Sequence, residues 1–375
     1  MTKYLALSGA LLVAACSTTP LPAKRPLSED HLQQLATTNV VTSENVQGVK
    51  AGWFQQDSSA TSAQYGLIGA LVSATMDGIA NAGPASRARA ISDEIATVIE
   101  PEVLDRMLTA AIVKAKETDE MTTTVNYGEV SSIQKVLHSD PIDDSISVTT
   151  DYILSEDATT LKVIANVSYE NKEIPYVTPF TFEGSVPKSE EEGPLYKNIF
   201  AYISDQQEIP PLTDEMKAEL VEIVKASYRD EDGQLPTDGV AFKKLTRDLE
   251  NAKDDKLSNG EASIFTAKKW TENDGEFLYR ELAKAHDFIA RYIIIDMNDT
   301  SIPSIEDEDV IVEELEDFRT ITRAGGVVNA GSYVSTPGNY VGTVTFGNAQ
   351  AVTEEAEDRL YELHKEARKA KKKKN

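Results

Sequence analysis

The chain has one cysteine, Cys16, and four histidines in 375 residues. A single thiol excludes an intramolecular disulfide. There is no His-Glu-x-x-His and no Cys-x-x-Cys pair, so the short signatures of a transition-metal site are missing. No Gly-x-Ser-x-Gly elbow marks a serine hydrolase. Positive charge is scarce, with 37 Lys and Arg against 62 Asp and Glu and a net charge of −25. A field of that sign repels phosphate backbones, so the sequence argues against nucleic acid as a partner. It suits cationic partners or divalent ions, and it also simply keeps a chain soluble. The opening apolar run, Leu5 to Ala15, falls short of the roughly 20 residues a bilayer-spanning helix needs. Apolar residues at 41% and charged residues at 26% are ordinary for a globular protein, so a real core is expected.

The first residues carry a pattern of their own. Lys3 precedes the apolar run, and small residues lead to Cys16, the arrangement of a cleaved export signal. Val13-Ala14-Ala15-Cys16 resembles the lipobox of bacterial lipoproteins. That resemblance implies that Cys16 is the lipid-attachment residue: diacylglycerylated, exposed as residue one by cleavage, then N-acylated, for example with palmitate. Ser17, where an aspartate would retain such a protein, implies the outer membrane, with the periplasmic or surface face left open. Two or three acyl chains at about 0.8 kcal/mol per buried methylene make a firm anchor.

The expected organisation is therefore a signal peptide at 1–15, then a lipidated cysteine and flexible tether at 16–30. An acidic body follows at 31–350, divisible near 205–213, and a C-terminal helix with a basic tail occupies 351–375. Residues 17–27 contain three prolines and little to bury, which reads as extended chain. Ser28 caps a short helix, and Val40 to Val49 is β-prone. Tyr65 to Gly83 places small residues at Gly66, Ala70, Ala74, Gly78 and Ala82, one flat stripe on a helix. Its Gly66-Leu67-Ile68-Gly69-Ala70-Leu71 start is similar to uncharacterised proteobacterial outer-membrane lipoproteins and contributes no functional residues. Helices are expected over about 85–99, with Ile91 and Ile95 inward, and from Pro101 to about Lys116, with Leu104, Leu108 and Ile112 inward.

The middle changes period. Ser145 to Leu154 and Leu161 to Tyr169 alternate apolar and polar residues around a Ser155-Glu156-Asp157-Ala158 turn, which predicts an antiparallel hairpin. Met121 to Leu137 and Ile174 to Phe182 offer further strands. Helical spacing returns at Asp214, at Phe242 to Leu249, and over about 275–297. Residues 306–317 carry eight carboxylates interleaved with Val310, Ile311, Val312 and Leu315. Residues 324–353 carry no charge, and Thr336-Pro337-Gly338-Asn339 predicts a late β-hairpin between Tyr333-Val334 and Tyr340 to Phe346. The fold class expected is α+β: a helical N-terminal third, a central antiparallel sheet, C-terminal helices and that late β-hairpin.

Candidate chemistry is sparse. His138 and His286 are the candidate bases, with His31 near the tether and His364 in the terminal helix. Two acidic loops partly follow the spacing of a calcium-binding EF-hand. Asp230 and Asp232 sit in a loop that opens on Tyr228 and lacks the closing glutamate, having Gly239 there instead. Glu272, Asp274 and Glu281 sit in a loop that opens on Trp270. Acidic helix caps explain both equally. No catalytic residue, cofactor or metal site is assigned. The sequence points to a membrane-anchored envelope lipoprotein of non-enzymatic binding or scaffolding type, held by lipid and joined to an envelope protein or polymer. A carboxylate-dependent envelope hydrolase and a calcium-binding envelope protein are the alternatives. The uncharged 324–353 segment and the lysines at 369–374 are its contact-prone parts.

Overall fold

The structure is a computed structural model that describes residues 23–35, 37–55, 83–118, 125–133, 143–174, 194–230, 232–253, 259–304, 306–338, 340 and 344–374. Cys16, the small-residue stripe at 65–83, His138 and most of the Ile174–Phe182 segment lie outside them.

Alternation builds the centre. Strands β4 (Ser145–Leu154) and β5 (Leu161–Glu170) pair antiparallel along their whole length, from Ser145↔Glu170 to Leu154↔Leu161. β6 (Tyr196–Ile203) continues the antiparallel order beyond β5. Ile146, Val148, Tyr152 and Leu154 of β4, Val163, Val167 and Tyr169 of β5, and Tyr196, Phe200 and Tyr202 of β6 all point to one buried face. Each such large side chain contributes about 1.5–3 kcal/mol of burial. Ser147, Thr149 and Asp151 on the opposite face remain half-exposed. This one-sided pattern is what an antiparallel trunk with a single covered face requires.

The flanks correct the expected fold class. β1 (Thr38–Ser43) and β2 (Val49–Trp53) both run parallel to β4, one beside each half of it. β3 (Tyr127–Ile133) runs parallel to β1. On the other flank β9 (Tyr333–Thr336) runs parallel to β6, and β8 (Thr320–Arg323) and β7 (Val310–Glu314) follow antiparallel. β10 (Ala349–Ala351) closes the far edge against β2. Among the described residues ten strands thus form one mixed sheet instead of an antiparallel one, and the N-terminal third, much of which lies outside the described residues, supplies two of them beside its helices instead of forming a helical unit. The reason is physical: alternation reveals a strand and its buried face, but it carries no information on the partner or its direction.

The expected late hairpin is corrected: its first strand, β9, is paired on both sides, with β6 and β8, and the described residues of its expected second strand, 340 and 344–346, are not in a strand. The next strand, β10, lies beside β2 at the opposite end of the sheet. The chain between them passes the β4–β5 turn, where the Glu156 amide donates to the Thr345 carbonyl at 2.9 Å. Gly52 of β2 faces the Phe346 carbonyl, and Gly347, at φ +67°, faces Trp53. Two glycines therefore permit a backbone approach that any side chain would block.

Helices cover the buried face. α2, the helix over 83–96, and α3 (Pro101–Thr118) bury Ile91, Ile95, Leu104, Leu108 and Ile112 at the spacing the sequence predicts. α6 (Asn259–Met297) is broken at Glu272–Gly275, where Asn273, Asp274 and Gly275 take positive φ. Its second half lays Leu278, Leu282, Ala285, Ile289 and Ile293 on the sheet. Its first half packs with α4 (Asp214–Ser227) and α5 (Gly239–Asn251) around a smaller core of Leu220, Val224, Leu245, Ile264 and Phe265. α1 (Glu29–Gln34) is capped by Ser28, α7 (Gly326–Asn329) is a single turn, and α8 (Glu354–Lys374) ends the chain. No helix among the described residues is long and apolar enough to cross a membrane.

The reading of residues 17–27 as chain with little to bury is corrected from Lys24 onward. Lys24, Arg25 and Leu27 are fully buried. Arg25 exchanges backbone hydrogen bonds with Lys197 at 2.7 and 3.0 Å, and the Lys24 ammonium meets Asp296 at 2.9 Å and Asp299 at 2.8 Å. Burial raises the Asp296 carboxyl above its ordinary pKa, opposed by Lys24 and by hydrogen bonds from Tyr196 and Asn198.

Gly52→Ala tests the close approach behind the misplaced hairpin. An added methyl would overlap the Phe346 carbonyl, so a loss of about 2 kcal/mol is expected, read as a melting temperature lower by several degrees. An unchanged melt would contradict this account of the crossing.

Candidate functional site

The histidines offer no exposed base among the described residues except His364, which is exposed on α8. His286 is wholly buried under the sheet, its Nε2 2.7 Å from the Tyr152 hydroxyl. Burial alone pushes its pKa down to about 3, so it stays neutral. His31 is buried within the short first helix.

The five calcium candidates do not converge. Asp230 accepts from the amides of Asp232 and Gln234, closing an exposed turn after α4. Glu272 and Asp274 lie exposed in the α6 break. Glu281 has left that loop altogether, because the helix restarts at once and turns it onto the sheet. Among the described residues no group of three or more His, Cys, Asp or Glu side chains is placed to hold a metal ion.

Glu281 instead anchors the most developed polar cluster. Wholly buried, it accepts from the Tyr202 hydroxyl and the Asp205 amide, both at 2.9 Å. Lys284, one turn on, lies 3.2 Å from it, and the Arg319 guanidinium 3.8 Å. Arg319 is itself buried: it donates to the Ile203 carbonyl at 2.6 Å and to Asp205 at 2.9 Å, and it lies over the Tyr202 ring at 4.3 Å. Burial raises the Asp205 carboxyl, but the Lys284 hydrogen bond and the charges of Lys284 and Arg319 outweigh it and hold the group below its usual value. Burial, then the Glu281 charge, push the Tyr202 phenol far upward, so it remains a donor. The cluster ties β6, α6 and the turn before β8 together.

Above it opens a recess of about 230 Å³ between α6 and the β7–β8 hairpin. Its floor is Tyr202, Phe288, Tyr292, Leu315 and Ile321, and its rim carries Lys284, Arg291, Asp317 and Arg319. The recess is smaller than the roughly 300–1,000 Å³ typical of small-molecule sites, and its apolar floor suits one side chain better than a cofactor. Glu313 fixes the hairpin to the helix, accepting from the Tyr292 hydroxyl at 2.9 Å and pairing with Arg291 at 3.0 Å.

The hairpin also exposes apolar surface. Val310, Ile311 and Val312 are 48, 59 and 46% exposed, and Phe318 at the turn is 84% exposed. Phe318 is held at φ +62°, a left-handed conformation unusual for an aromatic residue. Gly338 passes against its carbonyl. Strained residues with side chains in solvent concentrate at functional surfaces. Sequence reasoning used Glu281 in the wrong role and missed Tyr202, Asp205, Arg319 and Phe318. Its one usable signal was the apolar triplet Val310-Ile311-Val312 inside the acidic run.

A second recess, of about 330 Å³, lies between the 83–96 helix, α3 and α8, with Glu102 and Arg359 at its wall. Arg359 pairs with Glu44 at 3.0 Å and Glu102 at 3.4 Å, docking the terminal helix. Nearby, Asp105 is buried on α3, accepting from the Asn45 amide at 2.9 Å. Burial is the main cause that raises its pKa to about 7, with Glu44 and Glu102 adding to it against the Asn45 hydrogen bond.

A raised acid favours the folded state while protonated, so Asp105 contributes stability that is complete below about pH 4 and is lost as pH rises through about 7. His286 works oppositely: its depressed pKa removes stability as pH falls from about 6.5 toward 3. The two slopes oppose one another between about pH 4 and 6.5, so Asp105→Asn should make the melting temperature rise more steeply with pH over that range than it does in the parent protein. Parallel pH profiles of the two proteins would remove Asp105 from that role.

Compared with protein-family models, with curated proteins and with solved structures, the chain matches none.

Proposed function

We propose that this chain is a lipid-anchored lipoprotein of the bacterial outer membrane whose body binds or scaffolds another envelope component and does not turn over a substrate. The anchor rests on the Val13-Ala14-Ala15-Cys16 sequence. The observation that carries the binding role is the β7–β8 face, where strained, exposed Phe318 and exposed Val310, Ile311 and Val312 adjoin an aromatic-floored recess. Large exposed apolar side chains grouped on one element beside a pocket mark interaction surfaces. The partner is an envelope protein that inserts a side chain into the recess.

The hydrolase alternative needs an accessible recess that gathers acids around a base. His286 is sealed under the sheet, His138 lies outside the described residues, and in the second recess Glu102 pairs with Arg359. The calcium alternative has Asp230, Asp232, Glu272 and Asp274 spread over two exposed turns. The binding reading therefore has the most support.

Replacing Cys16 with serine should shift the protein from the membrane fraction to the soluble fraction. In the lipidated protein, a photoreactive phenylalanine analogue at Phe318 should yield a discrete adduct in isolated envelopes. The same analogue at Tyr361, 67% exposed on α8, should not. Equal labelling from both positions, or substrate turnover by the purified body with no adduct, would reject the proposal.

A further inference from the structure

Among the described residues the outer strand of the binding face, β7, pairs on one side only, with β8, and ends the sheet order. A free strand edge is a template for another extended chain, and natural proteins blunt such edges with charge, proline or bulges. The first three residues of β7 are β-branched and apolar, more than a third exposed in every case. Its protection lies in what flanks them. Glu306, Asp307, Glu308 and Asp309 precede the strand, and Glu313, Glu314, Glu316 and Asp317 end and follow it.

That arrangement selects the occupant. Two copies of β7 paired antiparallel would set the first acidic run against the second, and paired parallel would set each run against itself. Both place like charges opposite one another, which destabilises a sheet pair. The register shift between Ile311 and Glu313 further discourages self-pairing. An extended segment with lysine or arginine between β-branched residues meets the reverse situation: cations face carboxylates on both sides, and apolar residues meet Val310, Ile311 and Val312. Backbone amides hold the acidic run in place. The Gly325 amide donates to Asp309 at 2.8 Å, the Ser304 amide to Asp307 at 2.8 Å, and the Gly326 amide to the Asp307 carbonyl at 3.0 Å.

We propose that β7 is the docking edge for a basic, extended peptide segment of a partner protein, which adds to the sheet as a further strand beside the recess. This rests on the binding reading of the β7–β8 face and names the chemistry of its ligand.

The test uses the full lipidated chain in detergent and a short capped peptide alternating lysine with valine, followed by titration calorimetry. Saturable one-to-one binding is expected, weakening as salt is raised, and at least about tenfold weaker for the matching glutamate–valine peptide. Two further peptides carry backbone N-methyl groups, one on the lysines and one on the valines, which removes donors from one edge at a time without changing charge. One of the two should lose at least about tenfold in affinity. Ile311→Asp, at a position 59% exposed, should weaken the parent peptide similarly while keeping the wild-type melt. Absence of saturation at about 1 mM peptide, equal binding by both N-methylated peptides, or an unaffected Ile311→Asp protein would each overturn strand addition. Concentration-dependent dimers abolished by Ile311→Asp would also overturn it, in favour of a second copy. A Phe318 adduct obtained alongside a silent peptide titration would sink strand addition alone and leave the binding face standing.

Discussion

A slip of one residue between β4 and β5 would turn Ile146, Val148, Tyr152 and Leu154 to solvent and send Ser147, Thr149 and Asp151 under the helices. The ten-residue register of this pair is the constraint on which the rest of the structure depends. It fixes one apolar face, and that face gives α3 and the second half of α6 a surface to cover. The free side of β4 accepts β1 along one half and β2 along the other, so a single strand organises both of these N-terminal strands. On the other flank, β6 receives β9, and β9 carries the β7–β8 hairpin outward to solvent.

Polar groups under the sheet follow the same geometry. Asp296, Glu281 and His286 all project from the covering helix toward tyrosines of the trunk: Tyr196, Tyr202 and Tyr152 respectively. Each hydroxyl is thereby satisfied in a place where an unpaired polar group would cost about 1–3 kcal/mol. The arrangement sets the helix's position along the strands as well as its rotation. It also places Arg319 and Lys284 beside Glu281, which shapes the recess that adjoins the exposed hairpin.

The local patterns were readable in the sequence and the long-range ones were not. Alternation from Ser145 and Leu161 specifies two strands that pair with each other, and the Leu104-Leu108-Ile112 spacing specifies a helix and its inward face. Nothing local tells Val40 that it will run beside Ile146, or places Tyr333 beside Phe200. The uncharged 324–353 segment looked like a hairpin because Pro337-Gly338 has turn chemistry, yet its two ends serve opposite flanks. Lys24 looked like part of a solvated arm, and its partner Asp299 is 275 positions along the chain. At the candidate site, Glu281 was visible only as one acid among many. Its burial depends on the α6 break, where Asn273 and Asp274 adopt left-handed conformations that residue type alone does not announce.

The bridge between Arg25 and Lys197 has a mechanical consequence. Tension arriving through residues before Lys24 enters the molecule at β6, next to the middle of the sheet, instead of at a peripheral loop. The Lys24 contacts with Asp296 and Asp299 divert part of that load into the end of α6. A chain pulled from its amino terminus would thus strain the trunk first, with β9 alone between β6 and the β7–β8 hairpin.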